Sequence, residues 1–102
     1  MEKQSKLTEE SKQSIESKVF HRLISHLQKR NDVQNIDLMN LSGFCRNCLS
    51  NWYKEEAEEL GINIDKDLSR EIVYGMPHKK WKEKYQKEAS SEKLEKFKEQ
   101  KD

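Results

Sequence analysis

A chain of 102 residues has the size of one domain, and with 38% charged and only 32% hydrophobic residues it can bury only a small core. A net charge of +1 excludes the domain-wide basic excess expected of a nucleic-acid binder. No stretch has the apolar length of a membrane span, and the N-terminus lacks the apolar core of a secretory signal. A cytoplasmic protein is therefore expected, where a structural disulfide would be unusual. Three Gly, one Pro and many Glu, Lys, Leu and Gln residues point to an all-α fold, a compact bundle of about four helices with polar, partly disordered tails. The expected layout is a flexible segment at 1–10, one helical domain at 11–90 and a charged tail at 91–102, helical or disordered.

From Ser11 onward Ile15, Val19, Phe20, Leu23, Ile24 and Leu27 recur at spacings of three and four, which predicts a first helix ending near Asn31 and Asp32. At about 100° per residue His26 borders the apolar stripe, whereas His21 lies outside it. Arg30 falls within the apolar arc and needs a partner, for which Asp32 and Asp37 are the local candidates. Asp37 is the expected N-cap of a second helix that runs through Leu60 and stops at Gly61. In that frame Cys45 and Cys48 share the middle of the buried face with Leu41 and Trp52, with Met39 and Phe44 beside it. Arg46 and Asn47 fall off the stripe, and Gly43 marks a close approach or a kink.

Ile62 and Ile64 form a connector that plugs the core. Asp65 or Asp67 caps a short helix through Leu68, Ile72 and Val73 that ends at Gly75, and Pro77 suits the first turn of the next. Trp81 and Tyr85, four residues apart, share a face. Charge is unevenly placed: residues 31–76 hold four basic and nine acidic groups, while residues 79–102 hold nine Lys and six acids. Such segments most simply form solvated helix faces, or pair within the fold or across a dimer.

The run from Arg22-Leu23 through His26-Leu27-Gln28, then DVQNIDLMNLSGFCRNCLSNWY, then REIVYGMP at 70–77 followed by Trp81-Lys82, resembles a short bacterial family known as domain of unknown function 1244. The resemblance covers roughly residues 19–89. It implies a small all-helical bacterial protein and supplies no activity. An aromatic such as Tyr often follows GMP in that family, where this chain has His78, which sets His78 aside as an essential ligand.

Three readings of the thiols stand side by side. Cys45 and Cys48, one turn apart, are candidate ligands of a zinc-like ion, with His26 as third ligand and no evident fourth. The same C-x-x-C spacing serves thiol redox chemistry where it opens a helix. As small hydrophobes, the two cysteines also suit a packed core. The sequence offers no phosphate-binding glycine loop, nucleophile elbow or paired-acid motif, so the leading expectation is a small interaction or regulatory protein rather than an enzyme. It would act as a homodimer, or on an unidentified protein partner, through an aromatic-rich face drawn from Trp52, Tyr53, Trp81 and Tyr85, which could alternatively form a ligand cleft.

Overall fold

A computed structural model describes residues 7–100. Within them the chain is all-helical, with six α-helices rather than about four: α1 (Glu9–Lys29), α2 (Asn35–Ser42), α3 (Arg46–Glu59), α4 (Lys66–Tyr74), α5 (His78–Tyr85) and α6 (Ser91–Gln100). Of the expected flexible segment at 1–10, residues 1–6 lie outside the described residues. Helix α1 starts two residues before Ser11 because the Thr8 hydroxyl accepts from the Ser11 amide at 3.0 Å, with Glu9 and Glu10 complementing the dipole of the first turn.

The largest departure from the sequence pattern is that the expected helix over 37–60 is two helices. Gly43 takes a left-handed conformation at φ 84° and terminates α2, and Cys45 is the N-cap of α3. Helix α2 also starts earlier than expected. Gln34, not Asp37, is its N-cap, and Asp37 sits in the first turn, where its carboxylate accepts from the Gln34 amide at 3.0 Å. Helix α3 ends as expected at Gly61: the Gly61 amide donates to the Glu58 carbonyl and the Ile62 amide to the Ala57 carbonyl, each at 2.9 Å.

Asp65 caps α4 by accepting from the Leu68 amide at 2.7 Å, and Gly75 ends it at φ 77°. That glycine is required twice over, because a Cβ there would stand 2.8 Å from the Gln28 side chain, whose amide donates to the Val73 carbonyl at 3.1 Å. Residues 91–100, whose order the sequence leaves open, form α6. It packs on α2 through a Lys93–Asp37 ion pair at 2.7 Å and an Asn40 amide bond to the Lys93 carbonyl at 3.1 Å.

The main helix pair is α3 with α4; α1 and α5 also pack on α4. Ser50 on α3 and Ser69 on α4 are fully buried, each hydroxyl donating to a carbonyl three residues earlier, so small side chains stand where these helices pack. Leu27, Leu49, Val73, Tyr74 and Trp81 form the core, edged by Phe20, Leu38, Phe44, Met76 and Tyr85. Trp81 and Tyr85 pack together as their spacing predicts, with ring centroids 5.9 Å apart.

Arg46 is the most consequential correction. Expected off the apolar stripe, it is 1% exposed at the centre of the molecule. Its guanidinium donates to the carbonyls of Leu27 (3.2 Å), Arg30 (2.8 Å) and Val33 (2.8 Å) and to Asn35 Oδ1 (3.1 Å), and lies 5.0 Å from the centroid of the Trp81 ring. No carboxylate touches it among these contacts; the negative end of the α1 dipole and the π face stand in for one. Burial holds its pKa below the usual arginine value. Arg46→Met leaves the Val33 carbonyl without its donor and takes one of two donors from the Leu27 and Arg30 carbonyls, which still accept from the Arg30 and Val33 amides. Since an unsatisfied buried acceptor costs about 1–3 kcal/mol, we expect a loss in that range, read as a fall in the urea midpoint.

Candidate functional site

The corner between α2 and α3 gathers the sulfur atoms of the chain's centre. In one uninterrupted helix Met39 and Cys48, nine residues apart, would be separated by about 13 Å along the axis. The left-handed turn at Gly43 folds the chain back, and Cys48 Sγ stands 3.9 Å from Met39 Sδ and 3.7 Å from Cys45 Sγ. Cys45, the N-cap, is buried; Cys48, in the first turn of α3, and Met39 are half-buried, so the cluster reaches the surface on one side. Both cysteines are free thiols. Burial pushes the Cys45 thiol up, opposed in part by the first-turn amides of Cys48 and Asn47, none of which closes a capping hydrogen bond to the sulfur.

The expected three-ligand set is not brought together. His26, placed by periodicity at the inner edge of the first helix, is exposed and lines a surface depression with His21, Arg22, Ser25 and Lys29. Among the described residues no three of His, Cys, Asp and Glu are grouped so as to hold a metal ion. The physical reason is that α1 rests on α4, and its carbonyl end is occupied by Arg46. Asp32 instead accepts two hydrogen bonds from Arg30, at 3.0 Å each, as the sequence suggests. Arg30 holds the Asp32 carboxyl below the usual carboxylate range, and Lys93 does the same for Asp37.

His78 lies apart from the sulfurs, against the Tyr74 ring (4.8 Å) and Arg70, whose guanidinium donates to its Nδ1 at 3.3 Å. Burial depresses its pKa, reinforced by Arg70 and Lys82 and opposed by Asp67.

A second feature is apolar. Phe20, Leu49, Trp52, Tyr53, Leu60 and Ile62 line an open groove of about 460 Å³, with Glu56 at its edge. Beside it, Ile15, Val19 and Leu23 form a stripe along α1 that faces away from the chain's own core and is half or more exposed at Ile15 and Val19. Phe20 stacks on Tyr53 at 6.4 Å, so stripe and groove join into one surface. The four aromatic residues considered as one cleft are divided: Trp52 stacks on Phe44, Tyr53 on Phe20, and Trp81 with Tyr74 and Tyr85 is core.

Periodicity misses two members of this architecture. It puts Met39 only at the flank of the apolar face, and Arg46 at the surface. Gly43 read as a terminator, with Phe44 between it and an N-cap, would expose both.

The family model described as "Protein of unknown function (DUF1244)" matches residues 33–99, from the turn before α2 through α6. No curated protein matches the chain.

Two outcomes are expected here. Iodoacetamide labels Cys48 before Cys45 at neutral pH, because the buried, raised thiol presents less thiolate; peptide mass mapping over time reads the order. For His78, a depressed folded pKa means that its stability contribution is intact above the unfolded value of about 6.5 and is lost as pH falls below it. The urea midpoint therefore drops from pH 7.5 to pH 5.5, and His78→Gln reduces that drop.

Proposed function

The chain belongs to the DUF1244 family, and we propose that it is a small cytoplasmic interaction protein that works as a homodimer. The observation that carries the reading is the continuous apolar surface made by the α1 stripe and the α3 groove. Ile15, Val19 and Leu23 repeat every four residues on a helix face that its own fold leaves uncovered, while the adjoining groove lacks a helix to fill it. A two-fold pairing answers both needs at once: the stripe of one copy enters the groove of the other, and the reverse.

Charge supports a second copy as the occupant. The stripe runs beside Lys12, Lys18 and Arg22, which outnumber Glu16, while α3 carries exposed Glu55, Glu56 and Glu59 along and next to the groove. Basic-edged stripe and acidic-edged groove are complementary only when they belong to different copies, since within one chain they lie side by side. The small core of a polar 102-residue chain adds a reason for association to contribute stability. No described helix is long and apolar enough to cross a membrane, and two free thiols suit a reducing compartment.

Sedimentation equilibrium of the full chain is expected to give a dimer. Val19→Lys on the stripe and Leu60→Lys in the groove, at positions 58% and 77% exposed, should each yield a folded monomer, with circular dichroism unchanged. A wild-type chain that stays monomeric at high micromolar concentration overturns the reading and leaves the surface to a different protein.

A further inference from the structure

We propose that Cys45, Cys48 and Met39 form a binding site for a soft monovalent cation, Cu(I) being the type, at the corner between α2 and α3. The spacing carries the argument. With metal–sulfur bonds of about 2.3 Å, three sulfurs around one ion in a plane stand about 4 Å apart. The separations of 3.7 Å from Cys45 Sγ to Cys48 Sγ and 3.9 Å from Cys48 Sγ to Met39 Sδ are close to that figure. A disulfide would need the thiols to close to about 2.05 Å and would give Met39 no role.

The donor set selects the ion. Two thiols and a thioether are all soft, and soft donors favour Cu(I). Zinc prefers four tetrahedral ligands, and among the described residues no third His, Cys, Asp or Glu joins the pair. Binding is a ligand exchange without electron transfer. Cu(I) displaces one proton from each thiol to solvent, both cysteines bind as thiolates, and Met39 donates a sulfur lone pair. The resulting centre carries one negative charge. It would sit at the N-terminus of α3, next in the chain to the guanidinium of Arg46, which is buried on carbonyls without a carboxylate contact. Positive potential is thus in place where the anionic centre would form. Half-buried Cys48 and Met39 give the ion a route of entry from a delivering ligand.

The site is tested on the full-length, reduced chain by anaerobic titration of Cu(I) held by the coloured chelator bicinchoninate. One Cu(I) withdrawn per chain, not displaced by equimolar Zn(II), is the expected result. Met39→Leu preserves volume in the corner and should leave the circular dichroism spectrum intact while weakening Cu(I) binding by about tenfold or more. Cys45→Ser and Cys48→Ser should abolish stoichiometric binding, and His26→Ala should leave it unchanged. The proposal is overturned if no copper leaves the chelator, if Zn(II) displaces it, if Met39→Leu binds as the wild type does, or if His26→Ala is what removes binding. Because Met39→Leu and His26→Ala leave the cysteines in place, the test stands whether or not the serine variants fold.

Discussion

The buried guanidinium of Arg46 is the constraint on which the rest of the chain depends. One side chain from the first residue of α3 closes the carbonyl end of α1, holds the turn that leads into α2, and presents its face to the central Trp81 of α5. Helix-end carbonyls in a small core cannot all reach water: Leu27 and Arg30 each accept one backbone amide, and Arg46 adds a second donor to both and supplies one to Val33. A single planar fork with several donors meets them together, which lysine, a point charge, could not do. Around it Asn35 links Arg46 to Tyr74, Tyr74 donates to Asn47 at 2.7 Å, and Trp81 Nε1 donates to Asn31 at 2.9 Å. Burial in this network pushes the Tyr74 phenol up to about 12. The polar centre therefore does for five helices, α1 to α5, what a larger apolar core would do in a longer chain.

Placing Arg46 at the start of a helix, rather than in its middle, is what the break at Gly43 accomplishes. A continuous helix would point Arg46 by phase alone. The left-handed glycine lets the chain turn before Cys45, so that α3 begins facing the end of α1 and its first side chain enters the centre. The same turn brings Met39 back onto Cys48. The polar hub and the sulfur cluster are two products of one glycine, on neighbouring residues. Gln34 works in a similar way at the other end of α2: its side chain donates to the Tyr85 carbonyl and accepts from the Lys87 amide, each at 2.8 Å, tying the end of α5 to the turn after α1.

How much of this is legible in the sequence follows from which forces set each element. The all-helical class, the first helix, the stops at Gly61 and Gly75, the Asp65 cap and the Trp81–Tyr85 contact are local, written in spacing and in residues with one strong conformational preference. The split at Gly43 is not legible because the apolar residues before and after it keep an approximately helical phase, so periodicity cannot tell one long helix from two short ones that pack. Arg46 is misplaced by its phase for a related reason: a helical wheel assigns a charged residue off the stripe to water, yet burial here is decided by carbonyls contributed from Leu27, Arg30 and Val33, far away in sequence. Periodicity puts His26 inside because it treats the apolar arc of α1 as a single buried face. In the fold that arc is divided: Phe20, Ile24 and Leu27 turn inward, while Ile15, Val19 and Leu23 remain outside and take His26 with them.

That division bears on how the two proposed properties relate. The sulfur corner uses the first turn of α3 and the last turns of α2, all within one chain. The self-association surface uses α1 and the later turns of α3. They meet on α3, where Trp52, four residues after Cys48 and so on the same side of the helix, stacks on Phe44 of the corner, and where the Leu49 amide donates to the Cys45 carbonyl at 3.1 Å. Forming the sulfur cluster needs no residue from a second copy, and the stripe-and-groove fit needs no sulfur. The two are therefore physically separable: a chain held monomeric by a charge at Val19 retains every atom of the corner, and a leucine at Met39 retains every atom of the groove. A dependence of one on the other would have to pass along α3, through the Trp52–Phe44 stack or the Leu49 amide bond to the Cys45 carbonyl.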